Sequence, residues 1–157
     1  MSVQQTLILV WALALVALTL VAAMQYQRNG PLAQTMNISR TTVQVGEHIV
    51  HAEVADTLAL QTRGLSGRAG LAEGEGMLFI FDEAGVHGIW MKDMRFSIDI
   101  IWAADDGTIL TIEERISPDT YPQSFQASSL AARYVLEVPA GFVEKSGIQE
   151  GMVLEFE

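Results

Sequence analysis

The chain contains no cysteine. That excludes disulfides, thiolate metal sites, a thiol nucleophile and an acylated lipoprotein cysteine. It leaves the compartment open, since an exported protein need not carry disulfides. Positive charge is scarce too. There are 19 acidic and 9 basic residues, a formal net charge of -10, and the only lysines are Lys92 and Lys145. Phosphate binding needs clustered Lys and Arg, so nucleic acid and anionic lipid headgroups are poor partners. The acidity reads as a solubilising surface, with recruitment of divalent cations or of a basic partner as the alternative. No Gly-x-Ser-x-Gly elbow is present, no Gly-Lys-Ser/Thr ending follows the glycines, and no repeat is visible.

Charge is absent altogether before Arg28, and there the chain has its one long apolar run, Leu7–Met24 (LILVWALALVALTLVAAM). As a helix it would span roughly 27 Å, close to the hydrocarbon core of a bilayer at about 30 Å. Its length and the uncharged start, MSVQQ, favour an uncleaved anchor over a signal peptide, although Val21-Ala22-Ala23 would serve as a cleavage site. Arg28 alone would favour a cytoplasmic domain. Three parts are expected: residues 1–27 as anchor or signal, 28–36 as a polar linker with a Gly-Pro break, and 37–157 as a single domain.

Short strand patterns dominate that domain. Asn37–Val45 and His48–Val54 read as strands about a turn at Gly46. Asp56–Arg63 reads as a short helix, with Asp56 as N-cap and Gly64 as stop. Five glycines from Gly64 to Gly76 mark an irregular loop. Gly76–Phe81, Val86–Lys92 and Phe96–Ala103 follow as strands, and Phe96, Ile98, Ile100 and Trp102 share a face. Asp105-Asp106-Gly107 turns into Thr108–Arg115. Ser117–Gln123 is a loop, Arg133–Val138 a strand, Gly141–Gly147 one helical turn and Met152–Phe156 a last strand. The fold class is mainly β (α+β): a compact, barrel-like antiparallel sheet with one or two short helices, preceded by the N-terminal membrane helix.

Three segments, GLSGRAGLAEGEGMLFIF, IWMKDMRFSIDIIW and ARYVLEVPAGFVEKSGIQEGM, resemble the family called domain of unknown function 192. The resemblance runs from about His51 to Glu157. Matching positions are Arg63, Gly64, Leu65, Gly76, Met77, Phe79, Trp90, Met91, Lys92, Asp99, Glu137 and Gly141. The resemblance implies a small prokaryotic protein with a β-rich domain outside the cytoplasmic membrane, which outweighs Arg28. It brings no catalytic residue. Ser66 stands where the family more often has Met after Gly-Leu, which removes a flexible apolar filler.

Trp90, Lys92, Asp99, Glu137 and Arg63 are the candidate ligand-binding residues. On a strand Trp90 and Lys92 share a face, and an indole beside an ammonium can wall a pocket. The plainer reading is a core Trp with Lys snorkelling at the rim. Asp99 and Glu137 each lie between apolar neighbours. Such an acid must be paired or have its pKa raised; Lys92, Arg63, Arg68 and Arg133 are possible partners for Asp99. Together the two acids could act as paired carboxylates or as oxygen ligands. His48 and His51, three apart on a strand, face opposite ways, so neither a metal nor any other cofactor is expected.

Three functions are compatible with these residues. The first is a membrane-anchored, single-pass, extracytoplasmic domain that binds a small molecule, glycan or envelope partner through Trp90, Lys92, Asp99 and Glu137, with Gly64–Gly76 as a lip. The second is a hydrolase using Asp99 and Glu137. The third is a structural protein-interaction module.

Overall fold

Arg40–Val45 (β1) and His48–Ala55 (β2) alternate exposed and buried side chains and pair antiparallel across Gly46, whose φ of +59° suits a residue without Cβ. These coordinates are a computed structural model that describes residues 16–21, 24, 38–127 and 131–157. Ile38–Glu157 form one compact unit. The 28–36 linker and most of the Leu7–Met24 segment lie outside the described residues; residues 16–21 are helical. Among the described residues, no helix is long and apolar enough to cross a membrane.

After β2 the chain enters a one-turn-and-a-half helix, α1 (Leu58–Arg63). Thr57 caps it, its side chain accepting from the Leu60 N–H, so Thr57 replaces the expected Asp56. Gly64 ends it at a φ of +49°. The glycine-rich loop then carries the chain back to β3 (Glu75–Gly85), which lies parallel to β2. The sheet is therefore not wholly antiparallel. A strand–helix–strand crossover brings the second strand in with the same direction as the first.

The remaining strands are β4 (Ile89–Trp90), β5 (Ile98–Ala103), β6 (Ile109–Ile116), β7 (Ser124–Phe125), β8 (Ala132–Pro139) and β9 (Leu154–Phe156), with a second helical turn, α2 (Phe142–Ser146), between β8 and β9. Seven strands form one sheet in the order β6-β5-β8-β3-β2-β1-β9. It curls into a half-barrel. At one end its edges meet, with Thr108 bridged to Val153 and the Leu154 N–H donating to the Gly107 carbonyl at 2.8 Å. The strand expected over Val86–Lys92 shrinks to β4, which pairs only with β7 in a separate two-stranded sheet. Gly88 fits there because a Cβ would meet the Ser124 hydroxyl.

Both faces of the central strands are covered, so every residue of β5 is buried. One core gathers Val50, Leu78, Ile101, Leu136 and Val138 with Val143 from α2. The other gathers Met77, Phe79, Ile98, Ile100, Trp102 and Val135 with Leu65, Ile89 and Met91, and Phe96 packs against it. The alternation that predicts a shared face for Phe96, Ile98, Ile100 and Trp102 is thus the alternation of the second core. This core lies under the glycine-rich loop and the small sheet, and it holds the unusual acid.

Candidate functional site

Glu137 lies on β8, flanked in register by Met77 of β3 and Ile100 of β5. It shares their face, so its carboxyl enters the second core. The residue is 4% exposed. Its Oε2 is buried with no hydrogen-bond partner among the described residues. Burial pushes its pKa up to about 8, while the Arg68 guanidinium pulls weakly the other way. Arg68 does not pair with it directly. Its two terminal nitrogens are spent on Glu53, at 3.1 and 2.5 Å, and hold that carboxyl below its ordinary range. Around neutral pH Glu137 is mainly a neutral acid in an apolar setting.

The acid belongs to the lining of a cavity of about 40 Å³. Gln61 and Thr62 of α1, with Gly64, Leu65 and Ser66 just beyond it, make one wall. Gly88, Ile89 and Trp90 make another, and Phe79 and Met94 complete the apolar lining. Thr62, Gly88 and Trp90 are exposed, so the cavity reaches the surface along their edge. Trp90 is 45% exposed and meets Tyr121, itself 46% exposed, edge to face at 6.2 Å. The Lys92 ammonium stands over the Trp90 ring, 5.7 Å from its centre.

The loop is clasped to the turn after β4. The Ser66 hydroxyl donates to the Lys92 carbonyl at 2.8 Å, and the Gly67 N–H donates to the Asp93 carbonyl at 2.9 Å. Asp93 adopts a φ of +56°, the left-handed region that Asp tolerates better than most residues. The two motifs GLSG and WMKD therefore form a single rim.

Of the five residues proposed from sequence, Trp90, Lys92 and Glu137 come together here. Arg63 and Asp99 do not. Arg63 is exposed in the last turn of α1 and is not part of the lining. Asp99 is fully buried and pairs in register with Val138, which places it on the opposite face of the sheet from Glu137. Its partners are not the cations suggested by sequence. Oδ1 accepts from the Arg115 N–H at 2.7 Å and Oδ2 from the Val143 N–H at 3.0 Å. Both oxygens thus hold backbone, tying β6, where Arg115 has a φ of +53°, to the start of α2. The two acids do not form a catalytic pair. Among the described residues no group of three or more His, Asp or Glu side chains could hold a metal ion.

Gln61, Thr62 and Met94 were not singled out from sequence, and Phe79 stood out only as a motif position, not as a candidate site residue. Phe79 was legible as a buried strand residue, but Gln61 and Thr62 carry no local signal beyond their place beside the glycine stop. A larger open groove of about 640 Å³ runs along β1 and β9, lined by Arg40, Gln44, His51 and Glu155 among others. It contains no buried unpaired polar atom, and Arg40 is already paired with Glu53. The smaller cavity is chemically the more pointed site.

Residues 40–156 match the family DUF192, described as "Uncharacterized ACR". The chain belongs to this family. Among curated proteins none matches it. Two solved structures are similar. One, from Sinorhizobium meliloti 1021 and described provisionally as a transcription regulator, is 31% identical with a TM-score of 0.71 over 76% of this chain and 95% of its own. The other, a protein of unknown function from Novosphingobium aromaticivorans DSM 12444, is 29% identical with a TM-score of 0.67 over 75% and 84%.

Proposed function

We propose that this DUF192 domain is a binding module whose ligand places a small head group in the Glu137 cavity and lays its body against Trp90 and Tyr121. One observation carries the reading: a buried carboxyl oxygen without a partner, in a cavity that reaches the surface beside an exposed aromatic pair. An unsatisfied buried polar atom costs about 1–3 kcal/mol, and a ligand that satisfies it recovers that cost on binding. We place the domain outside the cytoplasm, held or exported by the Leu7–Met24 segment, where an envelope component or imported small molecule would meet it. The label of the Sinorhizobium relative does not transfer easily to this chain. DNA binding needs a basic face, and 9 basic residues stand against 19 acidic ones.

The test is a broad fragment screen by protein-observed NMR on the full-length chain. Ligands should shift the amides of Gly64–Ser66 and Gly88–Trp90, and Glu137→Gln should abolish those shifts. A screen whose ligands all map elsewhere, or bind Glu137→Gln unchanged, would overturn the reading.

A further inference from the structure

The hydrogen-bonding character of the cavity narrows the ligand. Three polar side chains besides Glu137 line it, apart from the Trp90 indole, and each has already given its donor to a backbone carbonyl. Gln61 Nε2 donates to the Ile80 carbonyl at 2.9 Å and to the Ala55 carbonyl at 3.4 Å, Thr62 Oγ1 to the Leu58 carbonyl at 2.7 Å, and Ser66 Oγ to the Lys92 carbonyl at 2.8 Å. What these side chains retain is acceptor capacity. Glu137 Oε2 adds another unpaired oxygen. The Trp90 indole N–H, on a half-exposed ring, and the Glu137 acid proton are the side-chain donors in the lining not accounted for in this way, and the acid proton leaves when a cation binds. A lining of acceptors suits a group that has donors and no acceptor.

We propose that the Glu137 cavity takes the terminal ammonium of an aliphatic primary amine. This rests on the reading of the cavity as a binding site. An ammonium offers three N–H donors and accepts nothing, so it can use every acceptor in the lining, whereas a hydroxyl or amide brings lone pairs that only the Glu137 acid proton and the Trp90 indole N–H could meet. A carboxylate or phosphate would face Glu137 with no cation in the lining. Phe79 and Trp90 add aromatic walls, which attract cations. The Trp90 ring already holds an ammonium, that of Lys92. A volume of about 40 Å³ accepts an ammonium and the carbon next to it, leaving an alkyl stem to lie along the aromatic rim. On binding, Glu137 gives up its proton to solvent and the amine arrives charged, so an ion pair replaces a neutral acid. The net charge of -10 favours the approach of a cation.

The experiment titrates the full-length chain with n-butylamine, n-butanol and butyrate, following the amides of Gly64–Ser66 and Gly88–Trp90. n-Butylamine should bind on the order of tenfold or more tightly than n-butanol, and butyrate should not bind. Glu137→Gln should lose that preference. Trp90→Leu, a change at a half-exposed position, should weaken the amine about threefold to tenfold. Lys92→Gln should tighten it, because the ring face is vacated and a like charge is gone. Cadaverine and an acetyl-Gly-Lys-Gly-amide peptide separate the two sources of the head group, a free diamine or a lysyl side chain; tighter binding of either supports the proposal. If n-butanol binds these amides as well as n-butylamine, the amine proposal falls while the binding site stands. If no probe moves them, the amine proposal falls, and the wider screen alone judges the site.

Discussion

Between about pH 4.5 and pH 8 the folded chain keeps a proton on Glu137 that the unfolded chain has released. The folded-state pKa is raised, so the unfolded state binds fewer protons across this window and stability falls as pH rises through it. Below the unfolded value the group makes no difference. Glu137→Gln removes this dependence. Unfolding free energies from urea titration at pH 5 and pH 8 should diverge for the native chain by a few kcal/mol at most and stay close in the variant. Asp99 plays a different part, holding backbone. Asp99→Ala strands two N–H groups, those of Arg115 and Val143, and should cost roughly 3–5 kcal/mol, with the response of the Glu137 cavity to its ligands unchanged. A thermal melt alongside a ligand titration separates the two effects. Both acids stand out in the sequence for one reason, a charge between apolar neighbours. Their roles were not legible, because Asp99 is satisfied by Val143, 44 positions away, and Glu137 Oε2 has no partner among the described residues. Local sequence does not encode which remote backbone groups arrive.

Strand alternation carried most of the elements. β1 and β2 follow from period-two burial, β5 and β8 from apolar runs covered on both faces, and the glycines at 64, 107, 141 and 147 all take positive φ where a turn or helix end needs it. β4 was overextended because IWMK looks like a strand, whereas its continuation is a turn held by the glycine-rich loop. That clasp can be tested. Ser66→Ala removes the bond to the Lys92 carbonyl and should cost about 1 kcal/mol. The sharper readout is hydrogen exchange, which should speed up at the Gly67 amide while β8 amides stay protected. Gly76, in β3, is constrained differently. A Cβ there would lie 2.7 Å from Val50 and 2.9 Å from the Glu137 carbonyl, so Gly76→Ala should destabilise the domain by about 1–3 kcal/mol in denaturant unfolding.

At the scale of the molecule the fold class was legible and the topology was not. A count of short alternating strands says mainly β; it does not say that β2 and β3 run parallel or that β9 returns to β1. The Met152–Phe156 strand pattern shows only that a strand exists, and its partner lies more than a hundred residues earlier. Edge closure depends on the Gly107 turn, at a φ of +82° and packed against the Leu154 carbonyl. Gly107→Ala should therefore lower the melting temperature, with a loss of about 2–4 kcal/mol, and expose the β9 amides to exchange.

The return of β9 to β1 also sets an order of events in synthesis. The first strand of the sheet waits for the last, so the half-barrel cannot shut while the chain is still emerging. Whatever part of β1 and β2 has left the ribosome or a translocation channel meanwhile offers an unpaired edge. Partners separated by most of the domain also make closure slow relative to local hairpins. A nascent chain arrested before Met152 should accordingly be digested by protease at a concentration that spares the finished one, and the few residues of β9 act as the latch that ends that vulnerable interval.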